Sequence, residues 1–145
     1  MATETNMYGY ARARVFEELA DRIAGNRSGI ILAVFTEEPS DAAKNALEKS
    51  FAAIGFGAGA VTYAQLSGLN SDETFSLVEG IDPLALVACD ESAATLCSQA
   101  VRQAFPLMQP VRLFGREARA FRRINAMFET EADRQALWHL LKTMA

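Results

Sequence analysis

Two neighbouring glutamates carry the side chains of this sequence best suited to acid–base chemistry. Glu37 and Glu38 follow an apolar run directly and stand before Pro39. A carboxylate in a cleft can act as a general base, or position a water molecule, when burial tunes its pKa. The same pair can equally form a solvated acidic loop before a helix, since the helix dipole favours carboxylates there. Glu37 is therefore a candidate only, and no catalytic residue is assigned.

A strip of arginines in the last third of the chain is suited to binding anions. Residues 28–101 carry ten acids against two lysines, a local charge of −8, whereas residues 102–123 carry six arginines against Glu117, a local charge of +5. The arginines are Arg102, Arg112, Arg116, Arg119, Arg122 and Arg123. Guanidinium groups match phosphate oxygens, so the strip could bind a nucleotide or nucleic acid. It could equally pair with the acidic surface of the same molecule, or of a second subunit in a homo-oligomer.

Residues for metal or nucleophilic chemistry are few. Cys89 ends an apolar run, and Cys97 lies on the apolar face of the predicted helix that follows, so both are predicted to be buried thiols. The single histidine, His139, is distant in sequence from both cysteines. Soft ligands for zinc are therefore too few, and a Ser-His-Asp triad cannot be assembled. We predict no metal and no cofactor.

Helices and apolar strands alternate along the chain, and these elements must position the polar residues. Helical periodicity over residues 8–24, followed by Gly25, predicts an N-terminal helix packed on the core. Uniformly apolar runs predict strands at 30–35, 60–64 and 84–89, with two short strands or one bent strand between 111 and 121. Further helices are predicted behind Ser40, from Ser71, from Glu91 behind its cap Asp90 to about Phe105, and behind Thr130.

This alternation predicts a single α/β domain over residues 1–145. Strands that are apolar throughout are covered on both faces, and a parallel crossover needs a connection of about helix length. We therefore expect a three-layer α/β/α sandwich with a mostly parallel sheet of about four strands. In such sheets ligands bind beyond the carboxyl ends of the strands. The candidate ligand-binding residues at those ends are Thr36, Glu37, Gln65, Asp90, Arg122 and Arg123.

Three segments, within a stretch of roughly residues 28–145, follow the motif order of a known family. They are Phe35–Ser40, Asp82–Ala94 and Arg134–Leu141. In this order they resemble the uracil-DNA glycosylase superfamily, particularly its small bacterial branch, with motifs of the form V-G-E-A-P-G, P-x-V-I-V-A-L-G and K-R-x-A-W-x-D-L. The resemblance implies the glycosylase fold, and it sets Gln65 in the place of the base-recognising Asn of the family.

The departures from the family argue against glycosylase activity. Cleavage of a glycosidic bond to uracil needs a donor that stabilises the departing anion, and in the family this donor is a His in an H-P motif. The matching position here is Arg123, followed by Ile124. The stacking aromatic residue after the first motif and the iron–sulfur cysteines are also missing. The resemblance thus implies a catalytically inactive domain that serves as a binding or assembly module for a nucleotide, nucleic acid or protein.

Two other interpretations stay open. One is a hydrolase of a nucleobase-containing or phosphorylated substrate that uses Glu37 with Arg122 or Arg123. The other is an unrelated doubly wound domain of the flavodoxin or receiver type. Against the latter, residues 36–40 contain neither a glycine-rich phosphate loop nor a spaced Asp pair for a metal.

Composition sets the outer bounds on function. The chain has 145 residues, of which 50% are hydrophobic and 22% charged, as in an ordinary globular protein. Its net charge of −4 opposes strong non-specific binding to duplex nucleic acid. The chain has no signal-peptide pattern and no apolar run near the ~20 residues of a membrane span. We therefore expect a cytoplasmic protein without a membrane partner.

Overall fold

A six-stranded sheet organises the molecule in the computed structural model, which describes residue 14, residues 17–26 and residues 29–144. The strands lie side by side in the order β1-β3-β2-β4-β6-β5. The four inner strands run parallel, whereas both edge strands run antiparallel to their neighbours. The sheet is therefore mixed, and the expected count of about four strands was too low. The strands are β1 (Ile23–Gly25), β2 (Ile31–Phe35), β3 (Val61–Gln65), β4 (Ala85–Ala88), β5 (Val111–Leu113) and β6 (Arg116–Ala120).

Four α-helices connect or follow these strands in the described residues. Ser40, Asp90 and Thr130 each accept a hydrogen bond from a backbone N–H of the first turn, which confirms three predicted helix starts. None of the helices in the described ranges is long and apolar enough to cross a bilayer. The helices are α1 (Asp41–Ala53), α2 (Ser71–Ile81), α3 (Glu91–Val101) and α4 (Glu131–Lys142), with 3-10 turns at Ala20–Arg22 and Ile124–Ala126.

Two apolar clusters cover the two faces of the sheet. Leu32 and Val34 belong to one cluster together with residues of α2 and α3. Ile31 and Ala33 belong to the other, together with residues of α1 and α4. Successive side chains of a strand point to opposite faces. Because a cluster covers each face, all five residues of β2 are buried. This burial explains why residues 31–35 are apolar without alternation.

Both cysteines are buried free thiols, as predicted. Burial raises the pKa of Cys97 to about 12, and it raises the pKa of Cys89 as well, with the nearby Asp90 carboxylate as a smaller cause. Both thiols therefore stay protonated at neutral pH and lack the thiolate that a nucleophile or metal ligand requires.

The helix predicted over residues 8–24 is wrong at its C-terminal end, and residues 8–13, 15 and 16 lie outside the described part. Ala20–Arg22 form a 3-10 turn, and Ile23–Gly25 form β1, which pairs with β3. Gly25 has a φ of +84°, and a Cβ at this position would lie 2.9 Å from the carbonyl oxygen of Val61. The glycine interpreted as a helix stop therefore permits the close approach of an edge strand.

The predicted helix from Glu91 to about Phe105 is also too long. α3 ends at Val101 because Arg102 adopts a left-handed conformation with φ of 54°. Beyond it the Ser98 hydroxyl donates to the carbonyl of Gln103 at 2.6 Å. Residues 102–110 consequently form a loop. This loop leads into a hairpin of β5 and β6, so residues 111–121 form two short strands rather than one bent strand.

A stability prediction arises from Thr74, whose hydroxyl is buried in α2 and has no hydrogen-bond partner among the residues that the structure describes. An unsatisfied buried polar group costs about 1–3 kcal/mol, so Thr74→Val should raise the free energy of unfolding by about 1 kcal/mol. Thr62→Val is the matched control, because the equally buried Thr62 hydroxyl donates to the carbonyl of Asn26. This control should lower stability in urea denaturation; equal effects of the two substitutions would contradict the assignment.

Candidate functional site

A cleft of about 330 Å³ opens where β2, β4 and β6 end at the carboxyl edge of the sheet. Five of the six residues proposed from the sequence line it, and Gln65 does not. Gln65 ends β3, one strand further out, where its backbone carbonyl accepts a hydrogen bond from Arg22 at 3.3 Å. The lining residues are Thr36, Glu37, Asp90, Glu91, Ser92, Arg122 and Arg123.

Asp90 forms the buried floor of the cleft and ties two elements together. One carboxylate oxygen accepts hydrogen bonds from the backbone N–H groups of Thr36 at 2.8 Å and Glu37 at 3.0 Å. The other accepts from the Thr36 hydroxyl at 2.7 Å and from the N–H of Ala93 at 2.9 Å. Both oxygens are thus engaged with protein donors. Asp90 holds the end of β2 against the first turn of α3, which fixes the shape of the cleft.

Glu37 is engaged in a multidentate contact across the cleft. The Arg123 Nε donates to both carboxylate oxygens, at 2.9 and 3.2 Å, and Nη2 donates to one of them at 3.2 Å. Asn125 Nδ2 adds a bond to Oε1 at 3.1 Å. The hydrogen bond and positive charge of Arg123 hold the pKa of Glu37 below its ordinary value, and Glu37 in turn raises the pKa of Arg123. The pair therefore stays ionised from mildly acidic pH upward.

Arg122 stands beside this contact and is held less firmly. Its Nη1 makes one bond to Glu91 Oε1 at 3.3 Å, and 76% of the Arg122 side chain is exposed. Its backbone carbonyl accepts from the N–H of Glu91 at 2.9 Å, so the main chain on both sides of the cleft is fixed while the guanidinium is exposed to water. An exposed, single-bond pair of this kind contributes little to stability. The Arg122 donors are the ones that a ligand can recruit most easily.

The remaining arginines of the strip are mostly paired within the molecule. Arg112 and Arg119 both bind Glu117, and Arg116 binds Glu79 and Asp82. Arg119 is 1% exposed and lies inside the fold. Of the alternatives left open by the sequence, pairing with acids of the same chain accounts for five of the six arginines. The strip as a whole is therefore not a continuous cationic surface.

Asn125 does not line the cleft but holds its lining residue Glu37 in place, and sequence reasoning missed it. Its side chain bonds Glu37, the carbonyl of Glu38 at 3.1 Å and the N–H of Ser40 at 2.7 Å, so it joins the 3-10 turn Ile124–Ala126 to the start of α1. Nothing in its local sequence distinguishes it from a loop asparagine. The available signal was its position two residues after Arg123, at a predicted strand end.

No protein-family model matches the chain, and a search of curated proteins gave no significant match. The chemistry of the cleft therefore has to be judged from its own groups. Three carboxylates, Glu37, Asp90 and Glu91, meet the guanidinium groups of Arg122 and Arg123. The three carboxylates outnumber the two guanidinium groups by one charge. Protein donors engage the oxygens of both Glu37 and Asp90, so neither carboxylate is free to act as a base.

Proposed function

We propose that this chain is a nucleotide-binding module without hydrolytic activity, and that the cleft at the carboxyl edge of the sheet receives the phosphate of the ligand. The proposal includes kinship with the uracil-DNA glycosylases in a three-layer arrangement, which rests on the resemblance of the three sequence segments. The ligand and the lack of activity rest on the chemistry of the cleft. The two parts can therefore be tested separately.

The contact between Glu37 and Arg123 is the observation that carries the inactive part of the proposal. A general base works best when its pKa lies near the working pH. Arg123 shifts the pKa of Glu37 downward, away from that range, and with Asn125 it occupies the carboxylate oxygens. A water molecule at Glu37 would thus meet a weak, already bonded base. This opposes the alternative of a hydrolase that uses Glu37 with Arg122 or Arg123.

Arg122 is the residue that supports the ligand-binding part of the proposal. A guanidinium has five N–H donors, and Arg122 spends one nitrogen on its bond to Glu91. A phosphate can replace that carboxylate at small cost, because the pair is exposed and makes a single long bond. The replacement forms charge-assisted bonds near the N-terminus of α3, where anions are favoured. A volume of about 330 Å³ is at the small end of ligand sites, so a mononucleotide is preferred over a long polymer.

Titration calorimetry with UMP and AMP at low salt tests the binding. We expect measurable affinity for the wild type and a loss of about tenfold or more in Arg122→Ala, because the substitution removes the charge-assisted bonds that hold the phosphate. Arg112→Ala is the matched control, since Arg112 is also exposed and paired but lies on the β5–β6 hairpin. Absence of binding by the wild type, or equal loss in both variants, would contradict the proposal.

An excision assay tests the lack of activity. The wild type should release no uracil from a labelled single-stranded oligonucleotide even at high protein concentration. Product that disappears in Glu37→Gln would overturn the inactive assignment and favour the hydrolase. Tight retention of the oligonucleotide that weakens in Arg122→Ala plus Arg123→Ala, without mononucleotide binding, would replace the nucleotide with single-stranded nucleic acid.

A further inference from the structure

A second cavity of about 280 Å³ lies along α3, next to the cleft. One wall is the outward face of the helix, and the other is the loop after it. In contrast to the cleft, this groove has largely apolar walls, and Glu91 is the one charged residue among the described residues that line it. Its lining residues are Glu91, Ala94, Thr95, Ser98, Gln99, Ala104, Phe105, Pro106 and Leu107.

Glu91 lines both cavities, so the charged cleft and the apolar groove meet at the first turn of α3. A ligand bonded to Arg122 at this junction can extend along the helix without leaving the protein surface. The two cavities differ in chemistry in the way that the two ends of a nucleotide differ. Phosphate needs cationic donors, whereas a base needs flat apolar contacts and a few polar groups at its rim.

We propose that the groove between α3 and residues 104–107 is the base subsite of the nucleotide whose phosphate binds at Arg122. This inference rests on the proposed function and adds the direction in which the ligand lies. Pro106 and Leu107 offer apolar surface to a ring, and the exposed carboxamide of Gln99 offers both donors and acceptors to its edge. The groove therefore selects nucleotides over simple phosphate esters.

Hydrogen bonds fix the loop wall of the groove, so the wall is already formed before a ligand binds. The Ser98 hydroxyl donates to the carbonyl of Gln103, and Gln103 Nε2 donates to the carbonyl of Arg112 at 2.8 Å. At the other end, the N–H of Met108 donates to the carbonyl of Ala120 at 2.8 Å. A preorganised wall lowers the entropic cost of binding. A large side chain that fills the groove should accordingly prevent a base from binding there.

The test compares AMP with ribose 5-phosphate, which lacks the base, by titration calorimetry. In the wild type AMP should bind about tenfold more tightly, because its base adds apolar area that the groove buries. Thr95→Trp places a bulky side chain in the groove from an exposed helix position and should remove this advantage while leaving the affinity for ribose 5-phosphate unchanged. Ser76→Trp, at an exposed position of α2, is the control and should change neither affinity.

The outcomes separate the two proposals. If ribose 5-phosphate binds through Arg122 and AMP binds no better, the base subsite is wrong. The proposal that the cleft binds a phosphate group then still holds. An AMP advantage that persists in a folded Thr95→Trp protein, checked by circular dichroism, also overturns the subsite. If neither ligand binds the wild type, both the proposed function and the base subsite are wrong.

Discussion

Replacing Asp90 with asparagine is expected to lower the free energy of unfolding by about 3 kcal/mol, although the substitution changes the size of the side chain very little. Each carboxylate oxygen of Asp90 accepts at least one backbone N–H group, from Thr36 and Glu37 on one side and from Ala93 on the other. In whichever orientation the asparagine amide sits, its NH₂ group faces a backbone donor. At least one buried N–H then loses its acceptor, and the cap of α3 or the end of β2 is released.

Urea denaturation of Asp90→Asn and Asp72→Asn measures this effect against a matched control. Asp72 is exposed in the first turn of α2, so its loss of charge should cost less than about 0.5 kcal/mol. The Asp90 variant should also bind AMP poorly, since the cleft loses the constraint between β2 and α3. A stability within 0.5 kcal/mol of the wild type would mean that water or a neighbouring group replaces the carboxylate, and that Asp90 is not the element that shapes the cleft.

The fold was largely predictable because its inner strands and helix caps leave local signals. Burial on both faces forces β2 and β4 to be apolar at every position, and Ser40, Asp90 and Thr130 mark helix starts by their own chemistry. The edge strands leave weaker signals. β1 has three residues, and their pairing with β3 depends on residues some 40 positions later, so local periodicity extended a helix through them.

The position of the cleft was predictable from the sequence, but the pairing of its charged side chains was not. Strand ends placed Glu37 and Arg123 at one edge of the sheet, and the structure brings them within 2.9 Å. Sequence could not tell whether these charges face a ligand or each other, since that depends on side-chain directions set by Asn125 and the turn that carries it. The same limit applies to the groove. Its loop wall exists because Arg102 ends α3 earlier than the apolar pattern predicted.

Arg119 is the clearest case of a residue whose environment the sequence concealed, because it is a strip arginine that lies inside the molecule. Its Nε and Nη2 bond the hydroxyl and carbonyl of Thr143 at 2.8 and 3.1 Å, at the C-terminal end of α4. Nη1 donates to the carbonyl of Ala118 at 2.7 Å, and Nη2 also binds Glu117 at 2.9 Å. A buried cation at a helix C-terminus satisfies carbonyls that would otherwise lack donors and interacts favourably with the helix dipole.

We therefore expect Arg119→Met, which keeps the apolar stem, to lower the free energy of unfolding by about 2–4 kcal/mol in urea denaturation. Arg112→Met is the control, because Arg112 binds the same Glu117 carboxylate but is 65% exposed, so its loss should cost less than about 1 kcal/mol. Arg119 is the main cause of the lowered pKa of Glu117, so NMR titration should show that pKa rising further in Arg119→Met than in Arg112→Met. Buried ion pairs replaced by apolar side chains are in some proteins neutral or stabilising. If Arg119→Met is as stable as the wild type while the pKa of Glu117 rises, the guanidinium is a tolerated charge, and packing alone holds α4 against β6.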